Sequence, residues 1–577
     1  MHRFYRLFVT VTCLLFVIEA NADWIEDSDK NAMLVLESQA RFQPESIARS
    51  GLSQFDGDVF DLSADYDERQ TANNLELITE LKKRLAMEQH PKVRQDLEIL
   101  IQSLNDENET RRINNQYMLP YFNMHAVIFG SFNALLDPRN EKERYEKALE
   151  RLRKYNGSEE GFTPITELAK ARTSERFETP GLQGPYAGEL EKDLANAPRY
   201  VAGVRAMFER AELEDWEAEF AKLEFQLEDY VTWLGEEVVP RARLNNQLPA
   251  DVYADNLKNY GVRATPEELI AEAQYSYQFI RSEMKALAYS IAEKRGWEDK
   301  RLVPVMRKLK EEQIPQDELL AVYKARLAQI EEIIRREDII TLPERDASIR
   351  MATEAESAAI PASFMSPPQL INNTGQYGEF VLVQSNPAME ADAFMDDWSH
   401  DAITWALTVH EARPGHELQF ASLVENGTSL TRALFAFNSA NAEGWGLYAE
   451  AIMHEYLPQE AQLFNLFTRL MRAARMFMDP MVNTGQLTPE EAVDFMVEQT
   501  ALSLPMASSE ADRYSFRAPG QATSYYFGYM NLMRLRTEVE IRMGDAFNQR
   551  EFHDFILEQG LLPPDLLREA VLERFVQ

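Results

Sequence analysis

Thr408-Val-His-Glu-Ala-Arg-Pro-Gly-His416 gathers two of the chain's eight histidines into one short stretch, with a glutamate directly after the first. Asn441-Ala-Glu-Gly-Trp-Gly-Leu-Tyr-Ala-Glu450 follows, with more carboxylates in a helical pattern. Zinc takes imidazole nitrogen and carboxylate oxygen readily, and a catalytic zinc site leaves one position for water. His, Glu, His and a later Glu is the ligand and base set of a zinc hydrolase.

The spacing sets a geometric demand. The usual helical arrangement puts two histidines four residues apart, so that both face one way. His410 and His416 are six apart. On a regular helix that is about 600°, or about 240° past one full turn, and the rings would point apart. Pro414-Gly415 lies between them. Proline removes a helical hydrogen bond and clashes with the carbonyl four residues back, here that of His410 itself. Glycine accepts dihedrals closed to other residues. A break at Pro414-Gly415 is therefore required to swing His416 back beside His410.

Composition bounds the rest. The chain has 577 residues, 45% of them apolar, enough for several domains or one large one. Its 60 basic and 95 acidic residues give a net charge of −35. Such a surface repels nucleic acid and anionic membrane, which argues against both as partners. His2, Arg3 and Arg6 form a basic start, Leu7 to Ile18 an apolar run too short for a comfortable membrane span, and Ala20-Asn-Ala22 a small-residue cleavage site. This is read as a signal peptide cut after Ala22, leaving 23–577 as a mature chain that a bacterium exports to the periplasm or beyond. Cys13, the one cysteine, lies in the apolar run after Val11-Thr12, a poor lipid-attachment context. No second stretch is long and apolar enough to span a bilayer.

Periodicity predicts a mainly α chain. Leu75 to Leu104 reads as a helical hairpin broken at His90-Pro91, Tyr117 to Leu136 as a buried helix, and Glu141 to Lys154 as a charged one. Residues 155–190 are loop-rich and mark a possible subdivision; 23–67 show only weak periodicity. Thr265-Pro-Glu-Glu268 and Thr488-Pro-Glu-Glu491 are helix starts with a capping residue, proline at the first position and a returning glutamate. Gln316 to Arg336 and Gln521 to Met543 are further helices, and Phe552 to Phe575 completes a helical C-terminal region. Two short β-like runs, near Ser348 to Ala352 and at Gly378 to Gln384, precede the His-Glu stretch. A strand there could pair with an extended peptide or form a small structural sheet.

The stretch, with its neighbours, resembles the bacterial family called domain of unknown function 885 (DUF885). His410-Glu-x-x-Pro-Gly-His416-x-x-Gln419, Glu443-Gly-Trp-x-Leu-Tyr-x-Glu450, Arg513-Tyr514 and Pro519-Gly-Gln-Ala-x-x-Tyr525 carry the likeness, as do Phe552-His553-Asp554 and Gly560 to Pro563. The likeness covers most of the mature chain, most specifically 400–565. It implies a large helical, zincin-like metallopeptidase fold with a small β element beside an active-site cleft, the metal-site half lying at about 340–577. It also implies one Zn2+ per chain held by His410, His416 and Glu443, and Glu411 as general base to a metal-activated water that attacks a peptide carbonyl. Glu450, two helical turns beyond Glu443, is the rival third ligand or a support for a ligand histidine. Tyr525 and Arg513 are candidate donors to an oxyanion or a substrate carboxylate; Tyr514, Tyr448 and His553 are weaker candidates. His90, His125, His400 and His454 are read as structural or exposed. The family often has a histidine where Asn483 stands, in Asp479-Pro-Met-Val-Asn-Thr-Gly485.

The expectation is an exported zinc-dependent peptidase acting on short peptides. The alternatives are a metal-dependent amidase on cell-wall or other small substrates, and a binding protein that keeps the fold without turnover. Asn483 favours the last and Glu411 opposes it, since metal binding alone does not need that base.

Overall fold

The computed structural model describes residues 24–352, 356–357, 362–383 and 395–576. The expected signal peptide at 1–22 lies outside them. Helices dominate. An N-terminal hairpin, α1 (Tyr66–Met87) and α2 (Pro91–Tyr117), breaks at His90 as its proline predicts. Residues 24–39, where periodicity is weak, are nonetheless helical. The buried helix expected from Tyr117 begins only at Met124, where Asn123 caps it by accepting the Ala126 N–H. Residues on both sides of 155–190, Tyr155 and Leu190 among them, share one apolar cluster with Phe132, Phe208 and Phe220.

The metal-site half is built around α3 (Pro266–Arg295), α4 (Gln316–Arg336), α5 (Asp401–Glu411), α6 (His416–Ser422), α7 (Ser439–Met453), α8 (Gln459–Asn483) and α9 (Gln521–Met543). Thr265 caps α3 as its sequence predicts: the Glu268 N–H donates to its hydroxyl at 3.3 Å and its own N–H to the Glu268 carboxylate at 2.9 Å. Gly296 ends the helix in the left-handed region at φ 68°. Along α4, Leu319, Tyr323, Leu327, Ile330 and Ile334 repeat at threes and fours and are all buried. α3 and α8 share the largest apolar cluster, with Ala273 and Met284 against Phe464, Phe467 and Met471. A second cluster joins Trp405, Trp445, Tyr448 and Phe552. Among the described residues no helix is long and apolar enough to cross a membrane.

The sheet has three strands in the order β1-β3-β2: β1 (Ser348–Met351), β2 (Phe364–Ser366) and β3 (Glu379–Leu382). β1 runs parallel to β3 and β2 antiparallel to it. The stretch expected to offer a pairing edge, Gly378 to Gln384, holds β3, and β3 is paired on both sides. The edge strands are β1 and β2, and the three residues of β2 gave no period to reveal it.

α7 and α9 cross closely on small residues. A Cβ on Gly528 would lie 1.8 Å from the Ala440 carbonyl oxygen, and one on Gly444 2.6 Å from Gly528. Close packing of this kind cannot absorb an added methyl without moving backbone. Gly528→Ala is expected to cost about 1–3 kcal/mol, read as a lower denaturation midpoint; an unchanged midpoint would mean that the two helices do not touch there.

Candidate metal centre

The chain breaks where the spacing requires. α5 ends at Glu411, and α6 begins at His416 after a cis Arg413–Pro414 peptide. Gly415 lies so near the end of α5 that a Cβ there would sit 1.9 Å from the His410 carbonyl oxygen and 2.4 Å from that of Val409. Only hydrogen fits. The Trp445 indole N–H donates to the Pro414 carbonyl at 2.9 Å, tying the bend to α7.

A buried charge network clamps the same turn. Arg413, fully buried, donates from Nε to Glu417 at 2.8 Å and from Nη1 to Glu331 of α4 at 2.6 Å. Glu417, also fully buried, lies 2.8 Å from Arg345. Removing one partner from such a network leaves an uncompensated buried charge, at a cost of about 3–5 kcal/mol.

His410 and His416 come together. Their ring centroids are 4.7 Å apart and their planes cross at 85°. Glu443 Oε2 is 3.3 Å from His416 Nε2 and 3.7 Å from His410 Nε2. Ligand atoms of the three residues all lie within 4.8 Å of one another. Ligands about 2.0–2.1 Å from a tetrahedral zinc stand about 3.4 Å from each other, so this set fits the ion. The His410 ring lies flat on α7 where Gly446 has no side chain; a Cβ there would be 2.7 Å from His410 Cε1.

Glu450 is on the far side of the His410 ring. Its Oε1 is 2.7 Å from His410 Nδ1, its other oxygen accepts the Thr468 hydroxyl, and the Asn465 amide donates to its backbone carbonyl at 2.9 Å. Glu450 thus meets the nitrogen turned away from Glu443, and His410 Nε2 is left toward the centre.

The electrostatics favour a cation there. Burial works against a charged His410, yet the Glu443 and Glu450 carboxylates outweigh it and raise the imidazole to about 9. Burial also works against an ionised Glu443, but hydrogen bonds and charge from both histidines hold it well below the usual carboxylate range. Glu411, half-buried, accepts the Met365 N–H of β2 at 2.9 Å. Burial pushes its carboxyl upward, the direction that suits a general base.

Tyr525 is buried on α9, and among the described residues its hydroxyl has no hydrogen-bond partner. The guanidinium carbons of Arg472, Arg475 and Arg513 lie 5.8, 5.1 and 6.0 Å from its ring centre. Arg513, a candidate from the sequence, thus stands beside Tyr525, and so do Arg472 and Arg475, which the sequence reading did not single out. Their signal was spacing by four and then three residues from Thr468 on the buried face of a helix.

The remaining candidates hold structure. Tyr514 donates to Glu510 at 3.1 Å, and Tyr448 and His553 bond each other at 2.8 Å. The Asn483 amide donates to Asp479 and to the Tyr514 carbonyl. His125 and His400 are buried, and His454 meets Asn465. A cavity of about 1940 Å3 is lined in part by Asn441, Trp445 and Gly528, on another face of α7 and α9. None of the three clustered residues lines it.

Gly415→Ala is expected to separate the two imidazoles and to lower metal bound per chain, measured by emission spectrometry after dialysis against zinc. Full metal content in a folded variant would show that the tight return at Gly415 is not needed for the cluster.

Two solved structures share the fold. A Colwellia psychrerythraea protein provisionally described as a lipoprotein aligns at TM-score 0.76 and 18% identity, over 96% of this chain and 99% of that one. A Shewanella oneidensis protein of unknown function, also provisionally described as a lipoprotein, aligns at TM-score 0.73 and 18% identity, over 95% and 99%. No functionally curated protein matches the chain. The family described as "Bacterial protein of unknown function (DUF885)" matches residues 44–571, and the chain belongs to it.

Proposed function

We propose that this chain is an exported zinc-dependent peptidase that hydrolyses short peptides. The observation that carries the reading is the convergence of His410, His416 and Glu443 beside a carboxylate, Glu411, that already holds a strand's N–H. His410 Nε2, His416 Nε2 and a Glu443 oxygen would hold the ion, with Glu450 fixing the His410 ring from behind. A bound zinc supplies Lewis acidity, which acidifies water and polarises a carbonyl.

Glu411 accepts the proton of the attacking water and passes it to the leaving amine. Its oxygen bonded to Met365 fixes its orientation; the other is left for the water. The outer edge of β2, at Met365, faces this carboxylate, so an extended substrate backbone can add to the sheet there. Tyr525, with an uncommitted hydroxyl near Glu443, donates to the oxygen that gains charge as the carbonyl is attacked. Arg513 contributes positive charge to the same region. Asn483 lends no support to a reading without turnover, because its amide is committed to Asp479 and Tyr514.

Glu411→Gln is expected to keep about one zinc per chain and to lose hydrolysis of a peptide library by a factor on the order of 10²–10⁴. Unchanged turnover would remove Glu411 from the mechanism, and a wild-type digest insensitive to chelator would remove the metal. Glu450→Gln is expected to weaken zinc about 10–100-fold in competition with a chromophoric chelator. Unaltered affinity would deny Glu450 any part in holding His410.

A further inference from the structure

The arginines beside the centre are short of acidic partners. Arg472 and Arg475 project from one face of α8, and Arg513 joins them from residues 513–517. Arg472 is 6% exposed and Arg475 3%. Glu510, buried, is the carboxylate that pairs with this group: it receives Arg475 Nη2 at 2.8 Å, lies 2.7 Å from Arg475 Nε and 3.5 Å from Arg513 Nη2, and accepts the Tyr514 hydroxyl. Arg472 has no ion pair among the described residues. Its one hydrogen bond is long, 3.4 Å from Nη1 to the Thr468 carbonyl, and its Nε is buried without a partner. Arg513 Nη1 is likewise buried without a partner.

Two other acids exert their charge on Arg472, namely Glu450 and Glu443. Glu450 is committed to His410 and Thr468, and Glu443 to the two histidines. Three guanidinium groups around one tyrosine ring therefore share a single carboxylate. A buried cation without a counter-ion is costly, and an anion that arrives with a ligand removes the cost. The planar guanidinium fork matches a carboxylate, to which it can donate two parallel hydrogen bonds.

We propose that Arg472 and Arg513, backed by Arg475, form a subsite for the free C-terminal carboxylate of a peptide substrate, so that cleavage falls near the C-terminus rather than inside a long chain. The proposal rests on the peptidase reading. Tyr525 adjoins both the subsite and Glu443: the three guanidinium groups surround its ring, and Glu443 is near enough to act on its hydroxyl by charge. An acidic side chain offers the same chemistry and is the alternative source that the test separates.

The test is binding of three peptides to the zinc-loaded full-length mature chain carrying Glu411→Gln, by calorimetry. They are Ala-Ala-Phe-Ala with a free C-terminus, its C-terminal amide, and the amide of Ala-Ala-Phe-Glu. The free acid is expected to bind about tenfold or more tighter than its amide, and the Glu amide no better than the Ala amide. Adding Arg513→Gln should bring the acid-to-amide ratio near one, and Arg513→Lys should keep part of it. Arg513 is chosen because its side chain is 28% exposed and its loss leaves Glu510 bonded to Arg475. Arg472→Gln should act likewise if circular dichroism shows it folded.

Equal affinity for acid and amide, or no binding of either, overturns the subsite. Tight binding of the Glu amide overturns the C-terminal assignment. If the wild-type chain hydrolyses no peptide, the peptidase reading fails separately, and the binding ratio still decides the subsite.

Discussion

The contact between Gly415 and the carbonyl of His410 sets the rest of the centre. Two imidazoles six residues apart converge only if the chain doubles back within one turn. That return brings backbone against backbone at a distance no side chain can share. Arg413 then locks the turn by bonding forward to Glu417 and across to Glu331. Taking these charges out of water costs several kcal/mol each, and their mutual hydrogen bonds offset it only when all partners are present. The network therefore favours one geometry of the bend over looser ones.

The same economy of space recurs on α7. Gly446 gives the His410 ring a flat bed, and Gly444 meets Gly528 where α7 crosses α9. Glu443 and Glu450, seven residues apart on one helix, then take opposite nitrogens of His410. α8 supplies the backing, with Asn465 and Thr468 on Glu450 and with Arg472 and Arg475 farther along the same face. An acidic group that favours a cation thus lies beside a basic group short of an anion. The two opposite deficits lie close to one tyrosine, Tyr525.

Strand β2 shows how a short element can matter more than a long one. It has three residues, yet its Met365 N–H holds the carboxylate of Glu411 and its outer edge faces the centre. β3, with the stronger strand pattern, is the middle of the sheet and serves to position β2.

Much of this was legible without coordinates wherever the cause is local. Helix starts at Thr265 and Thr488 follow from a cap, a proline and a glutamate within four residues. The helical class follows from apolar residues at threes and fours, as on α4. The residue set His410, Glu411, His416 and Glu443 was visible, and so was the need for a break at Pro414-Gly415. Tertiary structure alone decided the questions of partner and side. It set Glu450 on the outer nitrogen of His410, made β2 the facing edge, and brought Arg472 and Arg475 to Tyr525. Each of these depends on contacts between residues far apart in the chain, whose energies come from burial and close packing and leave no period in the sequence.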